Sequence, residues 1–294
     1  MTSGFCCVRE KRYNRAYGGL CCTRFPHRQL ARQPGRSPPS APIQRAAGTG
    51  HGGGRGMSIW EGRPSISLSS RLHLTIMNLI RIAIIAGLIL TFLVSLAAYP
   101  QLPDTVVSHW NAAGVPDGSM GKLAGIGLVP VISVALVALL MFLPRVDPLR
   151  KNYAAFRNWY YGFILVFVVF MLAVQCQIIL WSLGYHISMN LVMPVLIGLL
   201  FIYVGFFLER VEPNWFAGIR TPWTLSSAMV WKKTHMLGGK LFKIAGIVSC
   251  AGAVFPAFAI WFIRVPALGT ALVTVVYSWY GFQNITRYER KSVY

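Results

Sequence analysis

Apolar positions along this chain do not recur at the period of a helix face or of a strand. They gather into long uncharged blocks: Ile82 to Tyr99, Leu123 to Leu143, Trp159 to Leu183, Ile187 to Leu208, Ile244 to Ile263 and Val265 to Gln283, none with an Asp, Glu, Lys, Arg or His. Each is close to the roughly 20 residues needed to cross a hydrocarbon core. Within hydrocarbon a backbone must satisfy its own amides, and blocks this continuous lack the apolar/polar alternation of barrel strands. The pattern predicts an all-α membrane protein with six transmembrane helices.

Two polar connections are too long to be simple turns. The first, Pro100 to Lys122, carries Asp104 ahead of Thr105 to Trp110, then Asn111, Gly114 and the turn sequence Val115-Pro116-Asp117-Gly118. Asp104 as a cap, and Asn111 and Gly114 as terminators, predict a short helix over Thr105 to Trp110 inside a lid between helices 1 and 2. The second, Glu209 to Lys243, has Pro213, Gly218 and Pro222 in an extended or bent stretch. Thr224 or Ser226 then caps a helix running to about Leu237, which Gly238 and Gly239 end. On it Trp231 and His235 share a face, while Lys232 and Lys233 point to headgroups or cytosol. This predicts an interfacial amphipathic helix between helices 4 and 5.

Charge then sets an orientation. Lys and Arg cluster at Arg71 and Arg81, at Arg145, Arg150, Lys151 and Arg157, at Arg210, Arg220, Lys232, Lys233, Lys240 and Lys243, and at Arg287, Arg290 and Lys291, whereas the alternate connections hold Lys122 and Arg264. Basic residues beside spans resist translocation, so both termini are expected in the cytoplasm of a multi-pass protein of the bacterial or archaeal plasma membrane. Hydrophobic residues make up 55% of the 294 and charged residues 12%, too few charges for a soluble surface. The net charge of +20 raises nucleic acid as a partner. Its distribution excludes that reading, because residues 1–78 hold twelve Lys or Arg against two acids in a stretch without apolar periodicity. Residues 1–76 are expected to be a disordered basic tail, or to precede the true start, with Met57 and Met77 as candidate starts. Cys6, Cys7, Cys21 and Cys22 lack zinc-site spacing and are expected to be reduced. Residues 77–158 form a first helical hairpin, and 159–294 a four-helix domain with the second long connection.

Candidate chemistry is sparse. His109, Trp110, Asn111 and Asp117 are read either as interfacial anchors or as an exterior binding surface for a peptide, a cation or a headgroup. On the interior side Asn214, Gly218, Arg220, Thr221, Pro222, Trp223, Trp231, Lys232 and His235 form a recognition loop, whose basic residues alone account for attraction to anionic membrane lipids. No span holds an ionisable group, which counts against a proton-coupled pump and an intramembrane protease. Gln175, Gln177 and Asn190 support a competing reading, a small-molecule or lipid transporter with a cavity beside them, although such groups also join helices. No catalytic residue, metal or cofactor is assigned.

The interior run Trp215-Phe216-Ala217-Gly218-Ile219-Arg220-Thr221-Pro222-Trp223-Thr224-Leu225-Ser226, followed by Val230-Trp231-Lys232-Lys233-Thr234-His235 and Gly238-Gly239-Lys240-Leu241-Phe242, resembles the signature of the SdpI family of membrane proteins. The exterior run Leu102-Pro103-Asp104, His109-Trp110-Asn111, Gly114 and Pro116-Asp117-Gly118 resembles the domain of unknown function that commonly precedes it. The resemblance implies a non-enzymatic immunity protein that resists a secreted, membrane-active toxin peptide and sequesters a transcriptional repressor at the membrane. Ser227-Ala228-Met229 departs from the family pattern, where an Asn and paired acids are usual.

Overall fold

A computed structural model describes residues 68–291 of the chain. Residues 1–67 of the expected tail, its four cysteines and the start at Met57 lie outside the described residues. Residues 68–76, expected to be disordered, are instead helical: α1 (Leu68–Ala98) extends back past Met77, whose side chain is buried. The order continues with β1 (Thr105–Trp110), β2 (Pro116–Gly121), α2 (Lys122–Val146), α3 (Tyr153–Ser182), α4 (Met189–Leu208), the short α5 (Pro222–Ser226), α6 (Ala228–Ala251) and α7 (Ala259–Lys291). Among the described residues six helices are long and apolar enough to cross a membrane. Their outward positions, such as Leu79, Leu93, Leu123, Ile247 and Leu272, are exposed Leu and Ile, the surface that lipid covers.

Three features differ from expectation. The stretch Thr105 to Trp110 is a strand, paired antiparallel with β2 from Thr105 opposite Gly121 to Trp110 opposite Pro116, with a bulge around Ser108. The β-branched run Thr105-Val106-Val107 favours a pleat over a helical turn, and Val106 inserts among Leu102, Ile126 and Ile179. Gly114 does adopt the left-handed φ of 76° that closes the turn, but Asn111 has no positive φ. Asn111 acts through its side chain, whose oxygen accepts from the amides of Ala113 and Val115 at 2.9 and 3.1 Å.

The second difference lies in α6. No interfacial helix ends at Gly238-Gly239; one helix runs from Ala228 to Ala251. The glycines serve close approach instead. A side-chain carbon at Gly239 would lie 2.7 Å from the Gly205 carbonyl, and one at Gly246 2.5 Å from the Gly198 carbonyl, so α4 and α6 meet backbone to backbone at two levels seven residues apart. The third difference follows from it: the expected span Ile244 to Ile263 straddles a break, two short 3-10 turns at Gly252–Val254 and Pro256–Phe258. Pro256 removes a helical donor and restricts Phe255, which sits at φ −122°, ψ 69°. The crossing segments are therefore Ala228–Val254 and Pro256–Ile285, and Arg264 lies inside α7 rather than in a connection.

α3 bridges the molecule, packing on α1 and α2 on one side and α4 on the other, and α6 packs on α4 and α7. The main core gathers Ile84, Val137, Phe156, Ile164, Phe207 and Trp231 from five helices. Away from it, towards the hairpin, polar side chains join segments: the Gln175 amide donates to Ser95 Oγ and to the Ile126 carbonyl, Gln177 donates to the Ile187 carbonyl, and Asn190 donates to the carbonyls of Ala112 and Pro256. These are the three residues on which a transport cavity was expected; each fastens one segment to another, and Gln175 keeps a buried Oε1 with no partner among the described residues.

Candidate functional site

The loop between α4 and α6 carries the strongest sequence signature, and its residues are held from two sides. From the short connection before α3 comes Asp147, 2% exposed. Its Oδ1 accepts from the Leu149 amide at 2.7 Å, and its Oδ2 accepts from the Trp215 amide at 2.9 Å. The Tyr153 hydroxyl sits 3.2 Å from Asp147 Oδ2 and 3.2 Å from Asn214 Oδ1, so its one proton serves either acceptor. Asn152 Nδ2 donates to the Pro213 carbonyl at 2.7 Å. Asn214, fully buried, uses every group it has: Oδ1 accepts from the amides of Phe216 and Ala217, and Nδ2 donates to the carbonyls of Glu212 and Ala217. A buried irregular loop must satisfy its backbone somewhere, and side chains do it here.

From the other side α6 supplies Trp231 and His235. They lie one turn apart, as expected, and stack at 4.0 Å between ring centroids. Trp231 Nε1 donates to the Val211 carbonyl at 3.0 Å. His235 Nδ1 donates to the Trp231 carbonyl at 2.8 Å and Nε2 accepts from the Ile219 amide at 2.9 Å. The second bond requires a lone pair on Nε2, which fixes a neutral imidazole with its proton on Nδ1. With both nitrogens occupied, His235 is a structural post and has no free atom for a ligand or a base. Gly218 passes beside it with φ 106°, and a side-chain carbon there would meet Nε2 at 2.5 Å.

The loop then turns into α5. Thr221 caps it in a reciprocal box with Thr224, Pro222 occupies the first turn, and Thr221 Oγ1 lies 3.0 Å from Ser278 Oγ on α7. Trp223 is half-buried on this turn. Ser227 caps α6, whose first turn has no acid. What faces outward is Trp215, Arg220, Leu225, Met229, Lys232 and Lys233. Arg220 spends one donor on the Trp215 carbonyl at 2.6 Å and has no carboxylate partner among the described residues. At the loop's start Glu209 pairs with Lys243 at 2.7 Å, and Arg210 lies over the Trp159 ring at 3.9 Å. Beneath the loop, Phe216 to Ile219 roof an apolar cavity of about 280 Å³ walled by α2, α3 and α4.

Of the expected recognition residues, Asn214, Thr221, Trp231 and His235 are thus buried scaffold, and Arg220 and Lys232 are exposed. The expectation for the other connection divides similarly. His109 and Asp117 meet across the hairpin at 2.5 Å, both well exposed. Trp110 packs edge-on against Trp181 at 5.8 Å, and Asn111 holds the turn. Asp147, Asn152 and Tyr153 went unnoticed in the sequence, although an acid in a connection otherwise populated by Arg145, Arg150, Lys151 and Arg157 was the available signal.

Comparison with known proteins places names on both regions. Residues 210–278, the loop with α6 and most of α7, match the SdpI/YfhL protein family, and residues 86–134, which contain the hairpin, match a domain of unknown function, DUF1648. The chain is similar to "Immunity protein SdpI" of Bacillus subtilis (strain 168), at 28% identity over 200 residues, covering 67% of this chain and 90% of that protein. No solved structure matches.

Proposed function

We propose that this chain, which belongs to the SdpI/YfhL family through its 210–278 segment, is a non-enzymatic cell-membrane protein that confers immunity to a membrane-active peptide toxin. The observation that carries the reading is the alignment with the immunity protein, which spans 90% of that protein rather than a shared motif alone. The site's geometry supports a binding role. Its histidine has no free nitrogen, and its buried groups hold a loop in one shape. The outward face combines Trp215, Arg220, Leu225 and Met229 with the lysines of α6, a mixed apolar and cationic surface.

In this reading the loop end lies in the cytoplasm, as the distribution of Lys and Arg favours, and the hairpin faces the side from which a secreted peptide arrives. Signalling through the loop would use the same outward face to engage a cytosolic repressor. The decisive experiment expresses the chain in a toxin-sensitive strain and measures survival against a membrane-active peptide at matched membrane abundance. Protection is expected, and its absence would overturn immunity. Arg220→Lys keeps the charge but loses the planar fork, so it is expected to abolish protection without lowering abundance. Unchanged survival would reduce the loop to a lipid anchor.

A further inference from the structure

A second site lies at the same end of the bundle, on helices that the family signature does not cover. Between α1, α2 and α3 there is a cavity of about 440 Å³ whose lining includes Arg81, Arg145, Arg150, Lys151 and Arg157. No carboxylate contributes to that lining, and among the described residues none of the five is paired with one. Arg150, Lys151 and Arg157 offer side-chain donors that no protein acceptor takes up among the described residues. The remaining two are lightly held: Arg145 donates to the Met141 carbonyl at 3.3 Å in its own helix, and Arg81 lies over the Tyr161 ring at 5.1 Å. The carboxylate nearest in sequence, Asp147, is turned away into the signature loop, with its oxygens occupied by Leu149, Trp215 and Tyr153.

Five exposed cations lining one cavity repel one another, and no carboxylate among the described residues lines it to offset them. Topology alone does not account for this arrangement, since loop charges that only resist translocation need no common cavity. The contributors come from three helices and a linker, so the arrangement belongs to the fold and not to one basic run. Arg81 is the last basic residue before the apolar block of α1, and Arg145 stands at the end of α2, which sets the cavity at the border of the hydrocarbon core. Tyr160 lines both this cavity and the apolar one beneath the signature loop.

We propose that this cavity binds a phosphate-bearing anion, with the guanidinium groups of Arg81 and Arg157 as its principal donors, supplied either by an anionic phospholipid headgroup or by a free polyphosphate. Arginine forks suit phosphate oxygens, and basic pockets between transmembrane helices are built for such headgroups.

The test uses the full chain in phosphatidylcholine nanodiscs and reads its thermal unfolding midpoint. One arm replaces part of the lipid by phosphatidylglycerol; the other adds inorganic pyrophosphate to phosphatidylcholine alone. A rise in the first arm assigns a headgroup, and a rise in the second a soluble phosphate. Each removed charge is expected to raise about fivefold the phosphatidylglycerol fraction or pyrophosphate concentration that gives half the rise, so Arg81→Gln with Arg157→Gln should raise it about twenty-fivefold. Arg150→Gln with Lys151→Gln is a second pair on the linker, free of the Tyr161 contact, in case the first pair unfolds. Arg264→Gln removes a charge from α7, outside this lining, and should leave the response intact. No rise in either arm, a rise retained in both pocket variants, or an equal loss in the Arg264 variant would overturn the site.

Discussion

The two long connections of this protein are both sequence signatures, yet they are built in opposite ways. The hairpin at 105–121 is closed by backbone pairing and a turn, and its only deeply inserted side chain is Val106. The loop at 209–227 has no sheet and one short helix, and is held by side chains from elsewhere: Asp147, Asn152, Tyr153, Trp231, His235 and Ser278. A hairpin carries its own hydrogen bonds and tolerates changes on its outer face. A loop whose amides depend on buried partners does not, because each partner lost leaves a desolvated group unsatisfied. Signature residues therefore mean different things at the two ends: mostly surface and turn in the hairpin, mostly scaffold in the loop.

The sharpest way to break this contrast is at Asp147. Asp147→Ala strips acceptors from the Leu149 and Trp215 amides and leaves Tyr153 with Asn214 alone. Removing acceptors from buried donors costs about 1–3 kcal/mol each, so a loss of about 3–5 kcal/mol is expected, concentrated in the loop. Trypsin should then cut rapidly at Arg220 in reconstituted protein while α1 to α4 remain protected. Unchanged cleavage would show that the loop does not need its buried carboxylate.

Gly218 comes next. Its φ of 106° strains any other residue, and its missing side chain makes room for His235. Gly218→Ala combines a left-handed penalty of about 1–2 kcal/mol with displacement of the imidazole from the Ile219 amide. A loss of about 2–3 kcal/mol in the unfolding free energy is expected. Gly114→Ala, at φ 76° in the hairpin turn, meets no backbone but only the half-buried Asn190 amide at 3.0 Å, which can give by a few tenths of an ångström, so it should cost little beyond the backbone part. Equal losses at the two glycines would erase the distinction between a turn and a packed loop.

What the sequence revealed follows the same division. Long apolar runs report transmembrane helices directly, because a bilayer demands uninterrupted hydrophobicity whatever the tertiary contacts. The Trp231 and His235 pairing was legible because it is local to one helix. The hairpin was missed where a capping signal at Asp104 and a β-branched run at Thr105 to Val107 competed, and seating of Val106 against α2 and α3 decided it. The Gly238-Gly239 pair reads as a terminator in one dimension, and only the approach of Gly205 shows it as a contact. Asp147 finds its loop partner Trp215 across a separation of 68 residues, which no local pattern encodes.

The smallest expected effect on stability is at the hairpin's outer pair, and it carries the most information about function. His109 and Asp117 meet at 2.5 Å with side chains 70% and 43% exposed. Exposed ion pairs contribute between nothing and about 1 kcal/mol, because water and salt screen them and two side chains lose rotamer freedom. The strands stay paired without them through their backbone ladder. His109→Ala with Asp117→Ala is therefore expected to shift the unfolding free energy by less than about 1 kcal/mol, with unchanged membrane abundance. If the hairpin is merely a cover for the helix ends, toxin survival should stay unchanged too, because Val106, Asn111 and Trp110, which seat and close it, are intact. If its outer face receives the peptide, survival should fall while stability holds, a separation that no scaffold residue of the loop can give. A survival loss that tracks a stability loss greater than about 1 kcal/mol would instead place His109 and Asp117 among the scaffold, and the contrast between the two connections would fail at its hairpin side.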